Sequence, residues 1–550
     1  MNILFIMYDQ LRFDYLSCAG HPHLHTPNFD RVASMGVRFT NAYVQSPICG
    51  SSRMSFYTGR YPSSHGAQWN NFPLRVGEQT IGDHLRKEGM DCWLIGKTHM
   101  HADAEGMERL GLDPDSVIGA RQAECGFDVW LRDDGLWAQG LTGYYDEKRS
   151  PYNEYLKSKG YENENPWADY ANAGVGEGNT IASGWMFKNA DKPANIYEED
   201  SETAWLTTKT IEFMEQATDP WCAHVSYIKP HWPYIVPAPY NDMYGSEHVP
   251  PPRRDDAEKC DTHPVFNAYM SNEVGRQFQR EDVRQKVIPA YMGLIKQCDD
   301  HLGRILDYLD ETDTLKDTMI VLTSDHGDYL GDHWMGEKSL FHDQSAKVPM
   351  IIYDPREEAE PARGTTCDAL VESLDLAATF VEAAGGEVPT HILEGRSLQP
   401  WLNGKTPEWR EFLISEFDYS GSMVGKTISE EYELPPKDCR LFMVFDGRWK
   451  MMHAEGGFRP MLFDLQNDPD EFVDLGKGDD HDDEITRLYG YLAQWGRRMS
   501  QRVTKTDAEV IRMRGKAGLK GVLPFLYDGS EVDESLTIHY RGDAPNLPEK

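Results

Sequence analysis

Met319-Ile320-Val321-Leu322-Thr323-Ser324-Asp325-His326-Gly327-Asp328 sets an apolar run directly against a cluster of polar, chemically active side chains. An uninterrupted apolar run of this length predicts a strand buried on both faces, as in the middle of a parallel sheet. Ligands of such sheets bind beyond the carboxyl ends of the strands, so the Ser-Asp-His-Gly-Asp segment falls where chemistry is expected. The arrangement recurs outward from this stretch. Residues 3–7 lead into Tyr8-Asp9-Gln10, residues 92–95 into Gly96-Lys97-Thr98-His99, and residues 222–227 into Lys229-Pro230-His231. Residues 348–353 read as a further strand. Four polar clusters at four strand ends predict one shared site.

Amphipathic stretches separate these runs, so the expected class is α/β: a large, mostly parallel mixed sheet sandwiched by helices. One helix is predicted over 289–309, with Pro289 at its start and Leu294, Ile295, Cys298, Leu302, Ile305 and Leu306 at helical spacing. No internal repeat is present. The spacing places a catalytic domain over 1–392 and a smaller α+β domain over 393–500, followed by an irregular arm over 501–550. Residues 135–200 are polar and carry Tyr144, Tyr145, Tyr152, Tyr155, Tyr161, Trp167, Tyr170 and Trp185. They read as a lid or rim over the pocket. The acidic stretch 464–484 reads as a solvated face.

Composition narrows the function. Among 550 residues, 55 Lys and Arg against 90 Asp and Glu give a net charge of −35. Such a surface repels nucleic acid and anionic lipid, and an anionic substrate would need a locally positive pocket. Nine scattered cysteines, never in CxxC spacing, suggest reduced thiols. No run of about 18 apolar residues is present, so no membrane span is expected. The first residues, MNILFIMYDQ, read as a strand rather than a leader, and a cytoplasmic protein is the expectation.

Asp9, Gln10, Asp325 and His326 are three hard oxygen donors and an imidazole on loops after two strands. Together they suit one divalent cation; the imidazole favours Mn²⁺ and the oxygens leave Ca²⁺ open. A second feature is Ser46-Pro47-Ile48-Cys49-Gly50-Ser51-Ser52-Arg53-Met54-Ser55, continuing to Gly66. Cys49 falls at a predicted helix N-terminus, where free N–H groups favour an anion, and Arg53 lies one turn on along the same face.

This segment resembles the sulfatase signature, in which the Cys of a C-x-P/A-S-R motif becomes formylglycine. The resemblance takes in Asp9, residues 49–66, Gly96-Lys97-Thr98-His99, Lys229-Pro230-His231, Ser324-Asp325-His326-Gly327 and Lys338. It continues through Leu462-Phe463-Asp464-Leu465 and Asn467-Asp468-Pro469-Asp470-Glu471. It implies an alkaline phosphatase-like fold, close to the arylsulfatase and phosphonate monoester hydrolase branch. Gln10, where many sulfatases carry a second Asp, and Asn70 are features of the phosphonate branch. Ser51 stands where the motif usually has Pro or Ala.

Residue by residue, the resemblance implies Cys49 as the modified residue, a ligand of the cation and the nucleophile once hydrated. Arg53 and Lys97 would hold that group. Lys338 and His231 would bind the ester oxygens and offset charge on the departing alcohol. His99 would remove a proton to expel the product, and Asn70 and Thr98 would contact substrate. The activity so implied is hydrolysis of sulfate monoesters, with phosphonate monoesters and phosphodiesters accepted or even preferred. A formylglycine-generating maturation enzyme and a homodimer or homotetramer are implied as partners. Two other readings stay open: an oxyanion binder with unmodified Cys49, and a two-zinc phosphatase using His333 and His342. His65, His101 and His333 are expected to be structural.

Overall fold

β1 (Asn2–Tyr8) shows why an apolar run becomes a central strand: all seven of its residues are buried. Alternate side chains enter two different cores. Leu4, Ile6 and Tyr8 pack with Ile295, Leu302 and Leu306 on one face. Ile3, Phe5 and Met7 pack with Ile81, Leu85 and Phe380 on the other. With helices covering both faces, the strand is apolar throughout except at its first residue, Asn2, whose Oδ1 accepts from the Trp221 N–H at 3.1 Å.

The computed structural model describes residues 1–70, 72–135, 150–218, 220–514, 527–537 and 543–548. The strands that follow β1 are β2 (Val37–Tyr43), β3 (Asp91–Gly96), β4 (Asp128–Arg132), β5 (Ala173–Val175), β6 (Ile181–Ser183) and β7 (Trp221–Tyr227). Then come β8 (Thr318–Thr323), β9 (Met350–Tyr353), β10 (Thr365–Glu372), β11 (Leu413–Asp418), β12 (Arg440–Phe445), β13 (Trp449–Ala454) and β14 (Met461–Asp464). Eight of them form one mixed sheet in the order β10-β2-β9-β8-β1-β7-β3-β4, and β11 to β14 form a second, antiparallel sheet. β5 and β6 make a small hairpin. In the large sheet β9 alone runs against its neighbours, β2 and β8. The expected α/β class with a mostly parallel mixed sheet is therefore observed.

The helix expected from Pro289 begins earlier. It spans Glu281–Glu311 with Pro289 inside it. Glu281 and Asp282 occupy its first turn, where the helix dipole favours acids. Val283, Val287 and Ile288 extend its buried stripe, and this burial outweighs the one backbone donor that proline lacks.

Residues Met1–Val388 and Leu393–Arg498 form one compact unit, which holds both sheets. Pro389–Ile392 and Met499–Lys550 form the other, and its described part includes a short helix, Asp507–Met513, capped by Thr506. Within the first unit the fully buried Lys450 of β13 pairs with Asp343 at 2.6 Å and Glu471 at 2.8 Å. Tyr43 of β2 donates to Asp343 at 2.6 Å, so one carboxylate ties the two sheets together. Two residues of the acidic stretch are thus not solvated: Glu471 neutralises Lys450, and Asp464 pairs with Arg448 at 2.7 Å. All nine cysteines are unpaired. Among the described residues no helix is long and apolar enough to cross a membrane.

Candidate active site

The strands β8, β1, β7 and β3 are adjacent and mutually parallel, so the loops that follow them leave the sheet along one edge. That placement brings the four polar clusters together. Gly96 closes β3 at φ +111°, and a Cβ there would lie 2.2 Å from the carbonyl oxygen of Ser226. Only glycine allows this approach, which delivers Lys97 beside β7.

Cys49 opens the helix Cys49–Thr58, whose ten residues are all buried. The N-cap residue Ile48 offers no side-chain cap, so the free N–H groups of the first turn find other partners. Gly50 N–H donates to Asn70 Oδ1 at 2.7 Å. A Cβ on Gly50 would come within 3.2 Å of the Asn70 Cα, so glycine is what lets Asn70 approach.

Asp9, Cys49, Asp325 and His326 each offer a ligand atom, and these four atoms lie within 4.8 Å of one another. All four residues are at most 1 % exposed. Cys49 Sγ is 3.0 Å from His326 Nε2 and 3.9 Å from Asp9 Oδ1. His326 Nδ1 donates to the Gly327 carbonyl at 2.9 Å, which turns Nε2 to the cluster. Two carboxylates, a thiol and an imidazole form a donor set that fits a divalent cation. Among the described residues this is the one such group of three or more.

Cations surround it. Arg53 donates to Asp325 at 2.8 Å and Asp9 at 3.1 Å, and also to the Lys97 carbonyl at 3.0 Å and Ser226 Oγ at 2.7 Å. Lys97 Nζ reaches Asp9 Oδ2 at 2.5 Å. Lys338 Nζ lies 3.1 Å from Cys49 Sγ, 3.2 Å from His231 Nε2 and 3.3 Å from Gln10 Oε1. Burial and Cys49 push the Asp9 carboxyl up, but Lys97, His231 and Arg53 outweigh them and hold it below the usual range. Burial likewise raises the Cys49 thiol, yet Lys338, His326 and Lys97 bring it well below an ordinary thiol. Burial lowers His231 to about 4, against the pull of Asp9, so its ring is neutral at pH 7. With Nδ1–H donated to the Trp232 carbonyl at 2.8 Å, His231 Nε2 accepts from Lys338.

Lys97, His231 and Lys338 are slightly exposed, unlike the fully enclosed Asp9, Arg53, Asp325 and His326, so they mark the side open to a substrate. Trp232 lies against His231 with ring centroids 4.1 Å apart, and Trp185 packs on Trp232 at 5.2 Å. Tyr152 and Trp167 from the same stretch as Trp185 are buried in the main core. Tyr144 and Tyr145 lie outside the described residues.

Gln10 stands apart from the other expected ligands. Its amide nitrogen is taken by Asp328 and Tyr234, and its oxygen faces Lys338. Both Gln10 and His99 have left-handed backbone, φ +66° and +55°, a strain that side chains other than glycine accept where position matters. The half-buried His99 has its backbone N–H on Asp134 at 2.9 Å, and its Nδ1 has no hydrogen-bond partner among the described residues. The Thr98 N–H also goes to Asp134 at 3.1 Å, and its Oγ1 accepts from the Met100 N–H at 3.5 Å. Asp328, Tyr234, Ser226 and Asp134 are supporting residues that sequence reasoning missed. For Asp328 the signal was present, since it closes the Ser-Asp-His-Gly-Asp segment.

His333 and His342 belong elsewhere. Their rings stack at 4.1 Å, with His333 on Glu258 at 2.6 Å and His342 on Tyr329 at 2.9 Å. His65 is held between Ser55 at 3.1 Å and the Ala67 N–H at 3.1 Å.

The family model described as Sulfatase matches residues 1–386. The chain belongs to the sulfatase family. A second model, described as N-sulphoglucosamine sulphohydrolase, C-terminal, matches residues 331–496. The chain is 31% identical over 541 residues to the multifunctional alkaline phosphatase superfamily protein PehA of Trinickia caryophylli, covering 93% of this chain and 97% of that one. It is 28% identical to an arylsulfatase of Clostridium perfringens, covering 88% and 92%. Among solved structures, the phosphonate monoester hydrolase of Silicibacter pomeroyi superposes with a TM-score of 0.78 at 28% identity, covering 92% and 96%. The fold is the alkaline phosphatase-like α/β fold, and this sulfatase-family member is a hydrolase.

Proposed function

We propose that the protein is a formylglycine-dependent metal hydrolase of sulfate monoesters that also cleaves phosphonate monoesters and phosphodiesters. The observation that carries this is the position of Cys49. Its Sγ is 3.0 Å from His326 and 3.1 Å from Lys338, beside the paired carboxylates Asp9 and Asp325. Formylglycine at this position would supply the nucleophile, and a divalent cation held by Asp9, Gln10, Asp325 and His326 with residue 49 would supply Lewis-acid chemistry. The imidazole favours Mn²⁺ over Ca²⁺.

The chain's own residues divide the remaining work. Arg53 spans Asp9 and Asp325 and fixes their spacing. Lys97 and Lys338 give a strongly acidic protein the local positive field that a monoanionic ester requires. Lys338, held by the neutral Nε2 of His231, points its charge at the atom of residue 49 and is placed to hydrogen-bond the ester oxygens and the departing alcohol. Asn70 keeps its Nδ2 for substrate, because Oδ1 is used by Gly50. His99 has an unengaged ring nitrogen for proton removal. Trp185 and Trp232 form an aromatic rim beside His231.

Mass spectrometry of the tryptic peptide 39–53 tests the first premise. Formylglycine is about 18 Da lighter than cysteine. An unmodified thiol in protein coexpressed with a formylglycine-generating enzyme, its maturation partner, would favour an oxyanion binder instead. A second reading, with phosphonate monoesters or phosphodiesters as preferred substrates, is favoured by Gln10, by Asn70 and by the similarity to the Silicibacter pomeroyi structure. Parallel kcat/KM values for an aryl sulfate and the matching phenyl phosphonate ester decide the order. Nine unpaired cysteines support a cytoplasmic setting. Size-exclusion chromatography with light scattering tests for the homodimer or tetramer.

A further inference from the structure

Gln10 donates from Nε2 to Asp328 Oδ2 at 2.5 Å and to the Tyr234 hydroxyl at 3.0 Å. Tyr234 in turn donates to the same carboxylate oxygen at 2.5 Å, and the Leu330 N–H donates to Asp328 Oδ1 at 3.0 Å. Every neighbour of Asp328 in this group is therefore a donor, and Asp328 acts only as an acceptor. It is fully buried, as are Gln10 and Tyr234. Turning the Gln10 amide over would press Oε1 against a carboxylate oxygen, so the amide has one permitted orientation. That orientation points Oε1 at Lys338, the lysine that also touches Cys49. The backbone is pinned as well. Gln10 N–H donates to Asp325 at 3.1 Å, and its carbonyl accepts from Tyr291 at 2.6 Å.

We propose that Asp328, with Tyr234, is the positioning residue that fixes residue 10 as a neutral amide with its oxygen on the Lys338 side of the cation site. A carboxylate at position 10 would set oxygen against oxygen at hydrogen-bonding distance from Asp328, with no N–H left to donate. Asp328 thereby restricts the site to the two carboxylates of Asp9 and Asp325. The site keeps more net positive charge for an anionic ester than three carboxylates would leave. This inference rests on the metal-hydrolase reading above.

The test is a charge swap in the full-length chain: wild type, Asp328→Asn, Gln10→Glu and the double variant. Mn²⁺ affinity is measured by calorimetry, with kcat and KM alongside. Asparagine at 328 lets the Gln10 amide turn over, so Asp328→Asn is expected to weaken Mn²⁺ binding about 10- to 100-fold. Gln10→Glu alone should lose more. In the double variant an amide N–H at 328 can donate to the carboxylate at 10, and Mn²⁺ affinity and kcat should recover at least about tenfold over Gln10→Glu. A purely structural role for Asp328 would give additive losses instead. The proposal is overturned if wild type does not bind Mn²⁺, if Asp328→Asn binds it like wild type, or if the double variant is no better than Gln10→Glu. Should Gln10→Glu not fold, Tyr234→Phe replaces it. That variant keeps the Asp328 contact and should lose less affinity than Asp328→Asn; the reverse order overturns the proposal. Mn²⁺ binding in the expected order without hydrolysis of any ester would support the pairing and overturn the functional reading.

Discussion

Lys338→Ala should slow the reaction most for the poorest leaving groups. Lys338 Nζ is 3.1 Å from Cys49 Sγ and is anchored by His231 at 3.2 Å, so its charge would lie within about 4 Å of an oxygen of an ester whose sulfur or phosphorus is attacked from residue 49. Burial lowers the Lys338 ammonium, but Cys49, Asp9 and Glu337 raise it further, so it stays charged across the working pH range. One charge at about 4 Å with an effective dielectric of about 20 is worth ~4 kcal/mol, or about three powers of ten in rate. That full amount applies only when the departing alkoxide carries a full negative charge. A nitrophenolate disperses its charge and should lose about tenfold, while an alkyl or unsubstituted phenyl ester approaches the full loss. The assay is kcat/KM across a series of esters graded by leaving-group pKa, for wild type and variant. The reasoning predicts a steeper dependence in the variant. A loss equal for every ester would refute it and assign Lys338 to ground-state binding of the oxyanion.

Arg53→Met leaves Asp9 and Asp325 facing each other without their shared guanidinium; it should cost about 3–5 kcal/mol, read by chemical denaturation, unless saturating Mn²⁺ restores part of it. Chelation with EDTA should abolish turnover and lower Tm; Mn²⁺ should restore both, at one ion per chain by elemental analysis. Burial lowers His65 and His224 to about 3, so below pH 6.5 the unfolded chain binds protons that the folded chain refuses. Stability should therefore fall as pH drops from about 6.5 towards 3, by about 2 kcal/mol for each histidine at pH 5, and a flat denaturation midpoint over pH 5–7 would contradict this.

The sequence by itself determined the class of fold and singled out Asp9, Cys49, Asp325 and His326, which the fold brings together. Residues 3–7, 92–95, 222–227 and 319–322 are apolar without a break because both faces of their sheet are covered, and that pattern is local. The polar residues that follow each run are equally local, and so is the Cys49–Arg53 spacing on one helix. Tertiary structure alone decided how these pieces act on one another. The order β8-β1-β7-β3 sets Asp9 beside Asp325, and no local signal encodes which strands become neighbours. Arg53 turns to the carboxylates, Lys97 lands on Asp9, and Lys338 comes up against Cys49 from 289 residues away. Pro289 reads as a helix start, but the helix begins at Glu281, because burial of Val283 and Val287 is a property of the packed core. Gln10 offered its oxygen in the sequence. The direction in which that oxygen faces is set by Asp328 and Tyr234, 318 and 224 residues away, because the nitrogen end of an amide donates and the oxygen end only accepts.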